Sequence, residues 1–267
     1  MNISEAFEKR DFVERFEQRR EADDSINKTL DEPTVWDLLP AILGRTVVDI
    51  GCGLGHIANR LAVAGARSVV ALDPSPAMIE RAKARFSHDR VEFRVAHVER
   101  MDPENAFDVA VSSMVVHFVP DLPAFLAAAW RILRPGGVFV FSQRHPVRTC
   151  NPSHVSVPHD PSWQVANYFE ESYRDYTWLE ERVRLYHRTF ETILGNLWTA
   201  GFSVDSVREP RPTLPYVQTS DRLREAELIP MVLACRCSKL RQPERPKLLA
   251  LTAQVLRHLR STAKPRS

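Results

Sequence analysis

The chain has 267 residues, 44% hydrophobic and 26% charged, with a formal net charge of +2. That is ordinary globular composition with enough apolar content for a sizeable core, and its small net charge argues against a global attraction to nucleic acid. No apolar run approaches the ~18 residues of a membrane-spanning helix. The charged start MNISEAFEKRDFVERF has no signal-peptide apolar region, and Cys52, Cys150, Cys235 and Cys237 fit neither a zinc spacing nor a disulfide framework, so a cytoplasmic, reducing compartment is expected.

Residues 1–40 read as a helical lead-in or cap. Within it, 4–22 make a charged helix with Phe7, Phe12, Val13 and Phe16 on one face, and 23–32 make a polar loop. Pro33 suits the first turn of a second helix. The aromatic stripe is expected to pack within the chain, with closure over a cofactor or contact with a second copy of the chain as alternatives. From TVVDI onward, strands and helices alternate: the helix HIANRLAVAG with Gly65 as its stop, strand SVVALD, helix PAMIERAKARF, strands VEFRV and AFDVAVSS, helix DLPAFLAAAWRIL, a turn at Gly136 and Gly137, and strand VFVFS. Nearly continuous apolar strands between helices predict an α/β fold, a doubly wound, mostly parallel sheet covered on both faces.

The rhythm breaks over residues 144–184, a stretch rich in proline, histidine and aromatics that includes Pro158 and Pro161. Long insertions of this kind serve as lids or binding loops. A helix over 185–200, stopped by Gly201, and strands FSVDSV and LIPMVLACR bring the sheet to seven strands. Cys235 and Cys237 alternate onto one strand face as a packed thiol pair. Residues 241–267 form a basic tail, expected as solvated helix and disordered end, with contact to nucleic acid or an anionic surface as the minor alternative.

Three of the nine glycines, Gly51, Gly53 and Gly55, follow the first strand. A strand, glycine turn and helix make a nucleotide crevice at the carboxyl edge of an open sheet. The third glycine comes one residue too early for a dinucleotide fingerprint, and no Gly-Lys-Ser/Thr is present for a triphosphate. Asp73, 18 residues after Gly55 at the second strand's tip, is placed to accept both ribose hydroxyls. Together these point to an adenosine without pyrophosphate.

Asp49-Ile50-Gly51-Cys52-Gly53-Leu54-Gly55 with Asp73 behind it resembles motif I and the follow-on acid of class I S-adenosylmethionine-dependent methyltransferases. Ala106–Ser113 resembles that family's fourth strand and Leu133-Arg134-Pro135-Gly136-Gly137 the approach to its fifth. His145-Pro146 and Tyr186-His187-Arg188-Thr189 resemble its bacterial small-molecule branch. The resemblance implies a Rossmann-like domain over residues 41–240 that binds S-adenosylmethionine and releases S-adenosylhomocysteine. It implies that Asp49, Gly51, Cys52, Gly53 and Gly55 line the methionine moiety, that Asp73 holds the ribose, and that Pro74, Ser75 and Met78 follow it toward the adenine. His97 stands where the family often has an adenine-binding Asp. His97 and Val98 are the expected ring contacts, while Ser113 and Met114 face the reacting centre.

Displacement at a sulfonium releases a neutral thioether, so positioning and desolvation are the main tasks, with a base needed only for some acceptors. His145, His187 and His117 are the candidate bases, each with a structural alternative. Trp163, Tyr168, Tyr173, Tyr176, Trp178 and Tyr186, with Arg188, are the candidate pocket for a small, aromatic or apolar acceptor methylated on oxygen, nitrogen or carbon. Glu170 and Glu171 are expected in solvent. A role in specialised-metabolite biosynthesis follows from the resemblance alone. The alternative is a cofactor-binding protein of the same fold that performs a non-methylating rearrangement or cyclisation, or regulates. No Asn/Asp-Pro-Pro-Tyr-type motif stands at Ser112-Ser113-Met114-Val115, which argues against a nucleic-acid substrate.

Overall fold

The computed structural model describes residues 3–102, 104–153, 163–213 and 220–240. The basic tail, Pro158 and Pro161 lie outside the described residues. The N-terminal segment folds as α1 (Ile3–Ala6), α2 (Arg10–Glu21), a π-helical turn (Asn27–Asp31) and α3 (Glu32–Leu38). The expected single helix over 4–22 is thus broken at 7–9. The expected polar loop coils into the π turn, whose Leu30 and Asp31 are buried.

The alternating region follows the sequence closely: β1 (Thr46–Ile50), α4 (His56–Val63), β2 (Ser68–Asp73), α5 (Pro76–Arg85), β3 (Val91–Val95), β4 (Phe107–Ser112), α6 (Leu122–Ile132) and β5 (Leu133–Arg144). The fifth strand begins before the two glycines, and its pairing with β4 shifts register between Phe107 and Val109. Helix starts are fixed by side chains. Ser75 Oγ accepts from Met78 N–H at 3.2 Å, and an Asp121 carboxylate oxygen accepts from Ala124 N–H at 2.9 Å.

The region after β5 departs most from expectation. A short α7 (Pro146–Cys150) leads into an antiparallel hairpin, β6 (Tyr173–Trp178) and β7 (Glu181–Tyr186). His187 and Arg188 therefore do not open a helix. They follow β7, and α8 (Phe190–Ala200) starts only after Thr189, whose hydroxyl caps it. Next come β8 (Phe202–Arg208), the unexpected α9 (Asp221–Leu228), and β9 (Val232–Lys239).

The seven-stranded sheet has the order β3-β2-β1-β4-β5-β9-β8, and only β9 runs antiparallel to its neighbours. Buried residues of α6 and α8 pack on one face. Those of α3, α4 and α5 pack on the other. This two-sided burial is what the continuous apolar strands require. Cys235 and Cys237 are both fully buried in the α6/α8 face, where burial pushes the Cys235 thiol up to about 12 and the Cys237 thiol higher still. No helix among the described residues is long and apolar enough to cross a membrane.

Candidate active site

The strand order turns back between β1 and β4, and ligands of open α/β sheets sit beyond the carboxyl ends of the strands at that point. A cavity of about 1030 Å³ lies there. Its floor is Gly51 to Leu54 after β1, Asp73 and Pro74 after β2, Ser113 to Val115 after β4, and Arg144 ending β5. Phe7 and Phe16 of the N-terminal segment, Trp178 of the hairpin and Arg222 of α9 complete the wall. Pockets for small ligands run to roughly 300–1,000 Å³, so this cavity stands at the upper end of that range.

The glycine loop owes its shape to two positions. Gly51 has φ +77°, and a Cβ there would stand 2.4 Å from Val115 Cγ2. Gly53 has φ +50° with nothing within 4 Å of a would-be Cβ, which leaves its backbone open to the cavity. Its N–H donates to Asp73 Oδ2 at 2.9 Å, while Ser75 N–H donates to Oδ1 at 2.9 Å. Each Asp73 oxygen keeps further accepting capacity. Burial pushes the Asp73 carboxyl up to about 6.

Asp49 is the more unusual acid. It is buried, and its Oδ2 has no partner among the described residues. Burial first, and the neighbouring Asp73 second, push its carboxyl up to about 7. An orphaned carboxylate oxygen on a cavity wall is costly unless a donor arrives, so the site fits a ligand bearing an ammonium group. Opposite the glycine loop, Met114 holds φ +57°, a strained value for a side chain of its size. Its N–H is fixed by Ser142 O and Oγ, both at 3.0 Å. Ser113 Oγ donates to the buried Asp31 at 2.5 Å.

The cavity brings together Asp49, Gly51, Cys52, Gly53, Asp73, Pro74, Ser113, Met114, His117, Trp163, Tyr176 and Trp178. The other expected site residues lie elsewhere. Gly55 caps α4, Ser75 caps α5, and Met78 packs behind the loop with Val13 and Leu54. Val98 is buried in the core, and His97 is exposed, its charge acting on Asp73 from outside the lining.

The histidines separate by their hydrogen bonds. His145 caps α7 through Nδ1, which accepts from Val147 N–H at 3.2 Å, and its Nε2 lies 2.7 Å from Glu209. His187 donates from Nε2 to Tyr168 O at 2.8 Å, and its Nδ1 pairs with the Thr149 hydroxyl at 2.8 Å. Both are outside the lining, with both ring nitrogens engaged. His117 lines the cavity and accepts at Nδ1 from Arg144 N–H at 3.3 Å. Burial, with Arg144 and Arg188 beside it, holds it far below the usual histidine range. It is therefore neutral, its Nε2–H a donor rather than a base.

Arg188 donates to Val119 O at 2.6 Å and Pro120 O at 3.0 Å, pinning the turn after His117 rather than facing the cavity. Tyr168 accepts from Phe190 N–H, Tyr173 is exposed beneath Arg184, and Tyr186 lies under Arg188. Glu171 is exposed, as expected, and also accepts from Thr189 N–H and Oγ, both at 2.7 Å. The aromatic stripe is covered within the chain, since Phe7, Phe12 and Phe16 all meet the Trp178 ring edge-on. The cavity also holds Arg20, Phe118, Arg144 and Arg222, which sequence patterning did not single out; an arginine on a polar helix face or at a strand end carries no signal of where it converges with others.

A family described as "Methyltransferase domain" matches residues 48–141. A solved S-adenosylmethionine dependent methyltransferase from Mesorhizobium loti is 31% identical with TM-score 0.72, covering 77% of this chain and 96% of that one. A protein of Haemophilus influenzae described as uncharacterized is 32% identical over 224 residues, 78% of this chain and 87% of that protein. A ubiquinone biosynthesis O-methyltransferase of Bradyrhizobium sp. is 38% identical over 106 residues, a match spanning only 39% of this chain and 42% of that protein.

Proposed function

The chain belongs to the class I S-adenosylmethionine-dependent methyltransferases, and from that premise we propose that it methylates a small, aromatic or apolar molecule bound in the same cavity as the cofactor. The observation that carries this is a single cavity with two chemically distinct walls. One wall has Asp49, Asp73 and the glycine loop, and the other has Trp163, Tyr176, Trp178 and Phe118. A flat apolar molecule between aromatic faces, with polar tips at hand, is the occupant such a wall suits. The relative named for ubiquinone biosynthesis supports a small acceptor.

When bound, S-adenosylmethionine supplies an electrophilic methyl group. In this proposal Asp73 accepts from the ribose hydroxyls and Asp49 faces the ammonium group. The open backbone at Gly53 allows close approach. Phe7, Phe16 and Trp178 exclude water over the site, which strengthens every electrostatic contact inside it. Ser113 and Met114, held rigidly at the tip of β4, orient the reacting groups. His117, neutral and buried, donates from Nε2 to the acceptor and withholds a proton-accepting nitrogen. The proposed acceptor therefore needs no ring nitrogen of the protein as its base.

Calorimetry with S-adenosylhomocysteine tests the cofactor half. Asp73→Ala is expected to weaken binding by about 1.5–3 kcal/mol, the value of hydrogen bonds to a charged group. An unchanged affinity would remove Asp73 from the ribose.

A further inference from the structure

We propose that the acceptor carries an anionic group, a carboxylate or its equivalent, received by the guanidinium groups of Arg222 and Arg144 on the β5/α9 side of the cavity. This rests on the reading of the cavity as a joint cofactor and acceptor site, and it adds the charge of the acceptor.

Five arginines line the cavity: Arg20, Arg144, Arg148, Arg222 and Arg224. Three have carboxylate partners: Arg20 with Glu32, Arg148 with Glu225, and Arg224 with Asp221. Arg144 and Arg222 have no ion pair among the described residues. Arg144 is steadied over the Tyr176 ring, 4.9 Å from its centroid. Arg222 projects from the first turn of α9, exposed toward the cavity it lines, and its side chain makes no hydrogen bond among the described residues. The carboxylate that acts on it, Asp24, is already engaged by Arg19 at 2.5 Å and by the Ser220 hydroxyl at 3.0 Å. Arg19, Arg144 and Arg148 surround Arg222 with further positive charge.

This side also carries acids: Glu225 and Asp221, paired with Arg148 and Arg224, and Glu227. Arg144 and Arg222 are the positive groups on it without an ion pair among the described residues; they disfavour one another, and an arriving anion relieves that cost. Two guanidinium forks also match the planar geometry of a carboxylate. The neighbouring lining is flat and apolar: Tyr176 lies under Arg144, and Trp163 lies 4.0 Å from the Arg148 guanidinium. The opposite wall is acidic, with Asp49 and Asp73. Acids without an ion pair on one side and arginines without one on the other sort two ligands into two places, the cofactor's ammonium group by Asp49 and Asp73 and an anionic acceptor by Arg144 and Arg222.

Benzoate and its uncharged analogue benzamide are the probes, titrated into the full chain loaded with S-adenosylhomocysteine. Benzoate is expected to bind at least about tenfold more tightly than benzamide, as one charge-assisted contact allows. Arg222→Met, at an exposed position, is expected to bring benzoate to the benzamide level and leave S-adenosylhomocysteine affinity unchanged. Equal binding of the two probes, no benzoate binding up to its solubility limit, or benzoate affinity indifferent to Arg222→Met each overturns the proposal. Failure of S-adenosylhomocysteine to bind would overturn the cofactor reading instead, so the two failures are separate observations.

Discussion

At the scale of single residues, the acids of the cavity are poised for a cation. Asp49, held up to about 7 by burial and by Asp73, is partly protonated at neutral pH. The proposed ammonium group beside it would favour the ionised form, so cofactor binding is expected to release a proton. Affinity then rises with pH through about 7 and levels off above it. The expected gain for S-adenosylhomocysteine between pH 6 and 8 is about tenfold. Calorimetry across that range, in two buffers of different ionisation enthalpy, measures both the affinity and the proton. A flat affinity with buffer-independent heat would detach Asp49 from the ammonium group. His117 bears on folding rather than on binding. Its folded pKa lies below the unfolded value, so its contribution is present above about 6.5 and is lost as pH falls toward the folded value.

At the scale of elements, the N-terminal helices and the β6–β7 hairpin form one cover. Trp178 is the hub, with Phe7, Phe12 and Phe16 edge-on and Phe118 stacked at 6.3 Å. Arg81 with Glu17 at 2.6 Å and Arg85 with Glu21 at 2.5 Å tie α2 down onto α5. Those ion pairs are partly exposed and weak, so the aromatic cluster holds the cover closed. Trp178→Ala removes that hub and is expected to cost about 2–3 kcal/mol of stability, from lost apolar burial and aromatic edges. Hydrogen exchange in residues 3–21 is expected to accelerate and S-adenosylhomocysteine affinity to fall. Unchanged exchange there would show that the salt bridges suffice.

At the scale of the whole molecule, the alternating half was legible because each signal was local. Apolar strands, Gly65 and Gly201 as helix stops, and Asp73 at a strand tip all declare themselves within a few residues. The hairpin was not, for a physical reason: its turn is made by Leu179 and Glu180 at φ +49° and +67°, without the Asn-Gly or Asp-Gly that usually marks such a turn. The π turn hid because NKTLD has no helical periodicity, and α9 hid because eight residues with two buried positions give little pattern. The proposed acceptor wall depends on those hidden elements. Tyr176 and Trp178 were legible as aromatics, while Arg144 and Arg222 acquire meaning only where β5 and α9 converge. His145 and His187 had the right type and place in the chain, but their ring nitrogens are spent on α7, Glu209, Tyr168 and Thr149. In the proposed reaction this one cavity passes a methyl group from cofactor to small molecule. The most direct test is incubation of the protein with methyl-d3-labelled S-adenosylmethionine and a low-molecular-weight cell extract, followed by mass spectrometry. The expected result is a small anionic molecule heavier by one labelled methyl group, formed with S-adenosylhomocysteine and lost in Asp73→Ala. Label that stays entirely in the cofactor, or that appears only in macromolecules, would exclude a small-molecule acceptor.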